Sequence, residues 1–329
     1  MNRKYIPLMA TIVIFLALYA FGSLRFEAFF SMRVFTNLFT DNAFLIITAI
    51  GMTFVILSGG IDLSVGSMIA CVGVALAVMI SHYNIHPLIA FALVLTAASL
   101  FGAGMGLLIE RYQLPPFIVT LAGMFFLRGL SFVISLESVP INHAFYNAVA
   151  DVYIQLPFGG SLTVSSIIMF VVLAAAIFLA HYTRLGRNIY AIGGSAQSSV
   201  LLGVPVARTR IFIYSLNSFL AALAGIVFTF YTFSGYSLAA MGLELDAIAS
   251  VVIGGTLLTG GVGFVFGSLF GVLIQGVIQT LISFDGTLSS WWTKIFIGTL
   301  LFIFIAMHRF LTSGTLEKWL GRVSAEKGG

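Results

Sequence analysis

The sequence predicts an all-α polytopic membrane protein of about ten transmembrane helices in pseudo-repeated halves, and three observations support this fold class. Hydrophobic residues make up 60% of the 329 residues and charged residues only 8%, whereas soluble domains carry about a quarter charged residues. Apolar stretches of about 17 to 24 residues, long enough to cross a bilayer as helices, recur along the chain. The stretch SGGIDLSVGS at residues 58–67 also recurs in altered form as TGGVGFVFGS at residues 259–268. Interrupted apolar segments at corresponding places in two halves indicate a transport pathway.

The predicted spans leave no room for a separate soluble domain, so residues 1–329 form one transmembrane domain with a short polar tail at 312–329. The spans are residues 5–24, 41–58, 64–80, 87–110, 116–136, 162–181, 211–233, 246–258, 262–283 and 291–308. We interpret the first as an uncleaved span, because no small-residue cleavage site follows it. Residues 59–63 and 259–261 leave almost no connecting loop. Each is either a cytoplasmic turn or a break within the membrane.

The distribution of basic residues predicts the orientation of the chain. With the N-terminus inside, eleven of the fifteen basic residues lie on the inner side: Arg3, Lys4, Arg111, Arg184, Arg187, Arg208, Arg210, Arg309, Lys318, Arg322 and Lys327. The predicted outer segments contain only Arg25 and Arg33. Because Lys and Arg are enriched in cytoplasmic loops, both termini are predicted to be cytoplasmic.

Two connections are longer than simple turns. The outer loop at 137–161 is predicted to hold a short interfacial helix around residues 144–154. In the inner loop at 182–210, Ser195 precedes a short helix-compatible stretch, Gly203 follows it and Pro205 blocks its extension. This pattern predicts a small capped helix in the cytoplasm.

The chain lacks the motifs of an enzyme or of a primary energy converter. It contains no GxxxxGK[ST] loop and no GxGxxG turn after a strand, so we expect that it does not itself hydrolyse ATP. It also lacks an HExxH motif, and its single cysteine, Cys71, stands in an apolar stretch. We therefore predict no catalytic residue, no metal site and no cofactor. The chain has no basic stripe interleaved with aromatic residues, so we do not expect it to bind nucleic acid. Membrane lipid is expected to surround it.

Few ionisable residues lie within the spans, which argues against coupling to an ion gradient. Asp62 is the one acid near a helix break, and we interpret it as a cap for the following helix rather than as a transport group. Arg128 is expected to snorkel to the interface or to pair with a carboxylate of another helix. The glycines 263, 267 and 271, four residues apart, predict close helix packing, as do Gly102 and Gly106.

Polar side chains within the spans and at the first break are candidates for lining a translocation pathway. They could donate or accept hydrogen bonds to a neutral, hydroxyl-rich cargo without trapping it. Hydrogen bonding between helices explains any single one equally well. The candidates are Asn42, Thr53, Ser58, Asp62, Ser64, Thr120 and Asn217.

Four stretches, taken in order, resemble the permease subunits of ribose-type sugar ABC importers, closest to those of galactofuranose importers. They are GMTFVILSGGIDLSVGS at residues 51–67, PPFIVTLAGMFFLRGL at 115–130, TRLGRNIYAIGGSAQSSVLLGVPV at 183–206 and GLELDAIASVVIGGTLLTGGVGFVFGS at 242–268. The resemblance implies an importer permease bundle in the bacterial inner membrane. It implies a monosaccharide cargo, galactofuranose among the sugars considered.

The resemblance also implies three partners. A cytoplasmic ATPase would bind ATP and Mg, a second permease subunit would be identical or a sister chain, and a periplasmic protein would deliver the sugar. The residues expected to dock the ATPase are Gly186, Arg187, Gly193, Gly194, Ser195, Ala196 and Gly203. Family members often read GGN, an acidic residue and paired alanines here, whereas this chain has GGSAQSS at residues 193–199. Two other functions stay open: a gradient-driven secondary sugar transporter and a membrane-embedded transferase acting on lipid-linked sugars.

Overall fold

The computed structural model describes residues 6–289 and 291–312, with side chains described as far as residue 306. Most of this part of the chain is helical. The α-helices are α1 Ile6–Arg25, α2 Met32–Asp41, α3 Ala43–Leu57, α4 Val65–Ser81, α5 Pro87–Arg111, α6 Pro116–Ile134, α7 Ala144–Asp151, α8 Val164–Tyr182, α9 Arg184–Gly194, α10 Ala196–Leu201, α11 Val206–Thr232, α12 Leu243–Ile253, α13 Val265–Asp285 and α14 Trp291–Thr312. The short strands are β1 Val139–Pro140, β2 Tyr153–Gln155, β3 Ser161–Thr163 and β4 Ser234–Gly235. Arg3, Lys4 and the predicted tail after Thr312 lie outside the described residues.

The helices make this a multi-pass membrane protein. Among the described residues, six helices are long and apolar enough to span a bilayer alone: α1, α5, α6, α8, α11 and α13. The pair α2 and α3 adds a seventh if it is one span bent by 54°. The other apolar helices are shorter, and α12 has only 11 residues. Each of the ten predicted spans contains a helix, but the count of ten spans and the pseudo-repeat stay predictions.

The centre of the bundle is α3, in which every residue except Phe44 is buried. Helix α11 packs against α3, α4 and α5, and α3, α4 and α11 form the interior. The outer helices α5, α6 and α8 expose large apolar side chains such as Leu100, Phe125 and Val171. A helix that is apolar on all sides is buried in protein or lies in a membrane, so the exposed apolar faces of these outer helices indicate contact with lipid.

Glycines bring neighbouring helices into backbone contact. A Cβ atom at Gly102 of α5 would lie 2.4 Å from the Tyr214 carbonyl of α11. A Cβ at Gly271 of α13 would lie 1.9 Å from the Ser250 carbonyl of α12. The close-packing interpretation of these glycines therefore agrees with the structure. Gly263 differs, because it precedes α13 in an extended connection rather than lying on the helix.

The two ends of the bundle have different structures. At one end, which we call the strand end, β1 pairs with β4 and β2 pairs with β3, both antiparallel. The other end, which we call the glycine end, contains residues 58–64, 111–115, 183–205 and 254–264. The strands were not predicted, because two- and three-residue strands are too short to show alternation. The ten-residue α2 was not predicted either. The predicted interfacial helix is present as α7, ending three residues early where β2 begins.

Candidate functional site

The two glycine-rich breaks begin with the same kind of helix cap. After α3, the Gly59 N–H bonds the Ile56 carbonyl and the Gly60 N–H bonds the Val55 carbonyl. After α12, Gly255 and Thr256 make the same two bonds to Val252 and Val251. Gly59 and Gly255 both have left-handed φ, at 82° and 91°, as this cap requires.

The sequence match between the two breaks differs from the structural one. It aligns Gly59 with Gly260, whereas in the structure Gly255 takes the place of Gly59. The second break is four residues longer, since it runs over residues 254–264 and the first over 58–64. The extra residues form a second turn at Gly260 and Gly261, with φ of 84° and 75°.

This second turn packs directly on the first break. The Gly261 N–H donates to the Leu57 carbonyl at 2.9 Å, at the end of α3. A Cβ at Gly260 would lie 2.8 Å from the Gly59 nitrogen. Only glycine allows two backbones to approach this closely, so the breaks are held together by main-chain atoms.

Helix α9 supplies a third backbone at the same place. A Cβ at Gly193 would lie 1.8 Å from the Leu57 carbonyl oxygen and 2.4 Å from the Gly261 nitrogen. We call Gly59, Gly193, Gly260 and Gly261 the glycine junction. The junction links the segment after α8 to both helix breaks without intervening side chains.

Tyr190 adds a side-chain tie between α9 and the second break. Its hydroxyl donates to the Gly263 carbonyl at 2.9 Å. Burial raises the pKa of the Tyr190 phenol to about 12, so the hydroxyl stays protonated and remains a donor near neutral pH.

The predicted capped helix of the inner loop is present as α10. The Ser195 side chain accepts the Ser198 N–H, and Gly203 has a φ of 77° after the helix. A second helix, α9, precedes it and is capped by Thr183, whose hydroxyl accepts the Gly186 N–H. Sequence reasoning missed α9, although Thr183 was its signal, since threonine is a preferred helix N-cap and Gly186 follows three residues later.

The predicted docking residues divide into two groups. Gly186 and Gly193 are packing positions, since a Cβ at Gly186 would lie 2.1 Å from the Ala180 carbonyl. The others, on or beside the open face of α9 and α10, are Arg187, Gly194, Ser195, Ala196 and Gly203. Apolar side chains that the prediction omitted also lie on this face: Val200, Leu201 and Leu202 are 61%, 88% and 80% exposed.

Asp62 lies in the first break and is fully buried. One carboxylate oxygen accepts the N–H and the hydroxyl of Ser64, and the other accepts the Asn217 amide at 2.8 Å. The capping interpretation holds in part, because the accepted N–H belongs to Ser64, one residue before α4. The bond to Asn217 ties the break to α11 and was not predicted.

Four predicted pathway residues besides Asp62 are also buried rather than lining a cavity. The Thr53 hydroxyl lies 2.7 Å from the Ser268 hydroxyl, joining α3 to α13. Thr120 donates to the Ile61 carbonyl at 3.3 Å and to its own helix at 3.0 Å. Ser64 and Asn217 bind Asp62. These contacts match the alternative interpretation, hydrogen bonding between helices.

The remaining two pathway candidates lie in separate cavities. Ser58 lines a 260 Å³ cavity at the glycine end, the glycine-end cavity, together with Gly59, Gly60, Gln113, Arg210 and Tyr214. Arg210 pairs there with Glu110 at 3.0 Å. Asn42 lines a 530 Å³ cavity at the other end, the strand-end cavity.

The strand-end cavity contains an ion pair that sequence reasoning did not assemble. Lys294 of α14 contacts both carboxylate oxygens of Asp246 of α12 at 2.6 Å. Asp246 and Lys294 lie at the starts of two predicted spans, both on the predicted outer side of the membrane. Their opposite charges at the same depth were the signal for an ion pair.

Of the two interpretations of Arg128, the carboxylate pairing is not what the hydrogen bonds show: its guanidinium donates to the carbonyls of Ser237 and Ala239. Snorkelling to the interface stays a prediction. The described residues hold no cluster of three or more His, Cys, Asp or Glu that could bind a metal ion.

Comparison with known proteins assigns the family. Residues 34–305 match the family described as "Branched-chain amino acid transport system / permease component". The chain is 58% identical over 312 residues to the inner membrane ABC transporter permease protein YjfF of Escherichia coli (strain K12), covering 95% of this chain and 94% of that protein. No solved structure matches.

Two further relatives are named as sugar import permeases. The fructose import permease protein FruG of Bifidobacterium longum (strain NCC 2705) is 38% identical over 315 residues, covering 94% of this chain and 92% of FruG. The ribose import permease protein RbsC of Escherichia coli (strain K12) is 38% identical over 281 residues, covering 85% of this chain and 87% of RbsC. These relatives are permease components rather than enzymes, as the missing catalytic motifs predict. The chain belongs to this family of ABC transporter permease components.

Proposed function

We propose that this chain is the transmembrane permease subunit of an ATP-driven importer that passes a monosaccharide into the cytoplasm. The observation that carries the proposal is the glycine junction. It puts an exposed, capped segment, α9 with α10, in main-chain contact with both helix breaks. A protein that pushes on this segment from outside the bundle moves backbone, not a flexible side chain.

The partners follow from this arrangement and from the family. A cytoplasmic ATPase binds ATP and Mg and docks on α9 and α10, where Arg187 and the apolar side chains of α10 are exposed. A periplasmic binding protein delivers the sugar to the strand end. A second permease subunit, identical or a sister chain, completes the pathway within the lipid.

The charge distribution supports a cytoplasmic glycine end. Arg111, Arg184, Arg187, Arg208 and Arg210 all lie at this end. The connections at 81–86, 137–161, 234–245 and 284–290 contain no Lys or Arg. Because basic residues stay on the cytoplasmic side, both termini are cytoplasmic in this proposal.

The two cavities fit alternating access. They lie at opposite ends of α3, whose buried side chains separate them. Closure of the ATPase moves α9, shifts the two breaks and opens one cavity while closing the other. Sugar then passes without an open channel through the membrane.

The cargo is a neutral sugar. Relatives are named for ribose and fructose, and the overall sequence resemblance is closest to galactofuranose importers, so galactofuranose is the specific candidate. The competing function is a gradient-driven sugar transporter. It is disfavoured because the carboxylate of Asp62 is already occupied by three donors.

Reconstitution tests the proposal. The permease is co-purified with its ATPase and binding protein and assayed in proteoliposomes for uptake of D-ribose, D-fructose and galactofuranose. We expect uptake that requires ATP and that falls when Arg187→Glu and Ala196→Glu are introduced together. Uptake driven by a proton gradient without the ATPase would establish the competing function instead.

A further inference from the structure

The strand-end cavity combines features that suit one class of ligand. Its volume of 530 Å³ lies within the range of about 300 to 1,000 Å³ typical of small-molecule sites. Residues of six helices line it: α2, α3, α11, α12, α13 and α14. From this cavity we propose, on the basis of the proposed function, a subsite in the permease itself that binds a neutral cyclic monosaccharide.

The polar wall of the cavity is fixed in place. Gln275 is buried and its amide donates to the Asp246 carbonyl at 3.1 Å, which holds the start of α12 against α13. The Asp246 side chain is held in turn by Lys294. The ammonium group has a third donor and the carboxylate has further lone pairs, so the ion pair can still bind hydroxyl groups.

Gln279 supplies the free hydrogen-bonding group. It lies one turn beyond Gln275 on α13 and lines the cavity. Among the described residues, nothing hydrogen-bonds to its amide, which leaves two donors and an acceptor for a ligand. An amide beside an ion pair matches the paired hydroxyl groups on the edge of a sugar ring.

Part of the cavity lining is aromatic. Phe44 of α3 and Phe228 of α11 meet edge to face with ring centroids 5.0 Å apart, and Tyr231 lies at the rim. A sugar ring has an apolar C–H face besides its hydroxyl edge. A cavity that combines apolar lining with a few placed polar groups binds such a molecule in a defined orientation.

The charges of the cavity select against an anionic ligand. Asp41, Asp246 and Lys294 line it, two acids against one base. A sugar phosphate would bring further negative charge beside Asp41, whereas a neutral sugar would not. The subsite therefore favours uncharged sugars over their phosphate esters.

Cysteine labelling tests this subsite directly. Cys71 is the only cysteine, so Gln279→Cys in a Cys71→Ala background gives one reactive thiol in the cavity. Thr287→Cys is the matched control, since it is exposed in the turn after α13 and does not line the cavity. The assembled transporter is treated with a maleimide in the presence of D-ribose, D-fructose, galactofuranose or ribose 5-phosphate.

With the imported sugar at about four or more times its Kd, we expect labelling at position 279 to slow at least about fivefold, because an occupied site is shielded and the rate falls by a factor of 1 + [L]/Kd. Ribose 5-phosphate should not protect, and position 287 should be unaffected by any sugar. Import of a sugar without protection at position 279 would overturn the subsite alone. Protection that depends on anionic lipid rather than on sugar would also overturn it. If none of the three sugars is imported, the proposed function itself fails.

A charge-reversal pair separates ligand binding from a structural role. The double variant Asp246→Lys with Lys294→Asp keeps the ion pair but exchanges its donor and acceptor sides. We expect the double variant to melt at the same temperature as the parent, while its sugar uptake is about fivefold or more below that of the parent. Full recovery of uptake would assign the pair a structural role and contradict the proposal.

Discussion

Replacing Gly193 by alanine tests whether the glycine junction couples α9 to the two helix breaks. The new Cβ would lie 1.8 Å from the Leu57 carbonyl oxygen and 2.4 Å from the Gly261 nitrogen. Both are main-chain atoms, so no side-chain rotation can relieve the clash and the three backbones must separate. Overpacking of this kind costs about 1–3 kcal/mol. Separation also breaks the 2.9 Å bond between the Gly261 N–H and the Leu57 carbonyl, which contributes about 1 kcal/mol.

Gly194 is the matched control, one residue further along α9. A Cβ there would meet nothing within 4 Å, and its φ is not left-handed. Gly194→Ala should therefore leave stability unchanged or slightly raise it, because alanine is the better helix former.

Two measurements on each variant decide the matter. The first is the melting temperature of the purified permease, which should fall for Gly193→Ala only. The second is ATP-dependent sugar uptake by the assembled transporter. A change of about 1–3 kcal/mol in the coupling free energy corresponds to a loss of about 5- to 150-fold. The reasoning is refuted if Gly193→Ala melts like Gly194→Ala or keeps parental uptake, with both variants inserted in the membrane at parental levels. The parent is the reference for uptake, because Gly194 lies on the predicted docking face.

Three further predictions concern the packing and the polar ties. Gly271→Ala should destabilise the bundle by about 1–3 kcal/mol because its Cβ meets a carbonyl of α12, whereas Gly298→Ala, with nothing within 4 Å, should have no effect in the same thermal melt. Tyr190→Phe should cost about 1 kcal/mol by removing the bond to Gly263. Folding raises the pKa of Tyr190 from 10.0 to about 12. The stability that the parent has over Tyr190→Phe should therefore be complete below pH 10 and decline as the pH rises towards about 12. The same pH dependence of stability in the parent and in Tyr190→Phe would contradict this. Arg128→Met should leave two carbonyls unpaired at a cost of about 1.5–3 kcal/mol and speed proteolysis of the loop at 236–242; equal digestion rates would exclude this role.

Local sequence signals predicted the parts of the site that local chemistry builds. The α10 helix follows from Ser195 at its start and Gly203 after its end, and the structure has both caps. Asp62 was identified as a hydrogen-bond acceptor at a helix break, since it follows a glycine turn and precedes Ser64. Its bond to Asn217, 155 residues away, has no local signal.

The cavities were beyond the reach of sequence reasoning for the same reason. Of the seven pathway candidates, Asn42 and Ser58 line the strand-end and glycine-end cavities and the other five do not. Polar side chains in a span can bond to another helix or face a pathway, and residue type does not distinguish the two. Gln275, Gln279 and the Lys294–Asp246 pair went unassigned because their shared cavity forms only when six helices meet.

The sequence by itself determined that this is a multi-pass helical membrane protein of the permease family, because composition and apolar length are summed along the chain and motifs are contiguous in it. The tertiary structure decided how the glycine-rich stretches are used. Sequence similarity pairs Gly59 with Gly260, whereas the helix caps pair Gly59 with Gly255 and leave Gly260 and Gly261 to pack against Leu57 and Gly193. A glycine permits close approach wherever it occurs, but which backbone approaches it is set by the packing of segments distant in sequence.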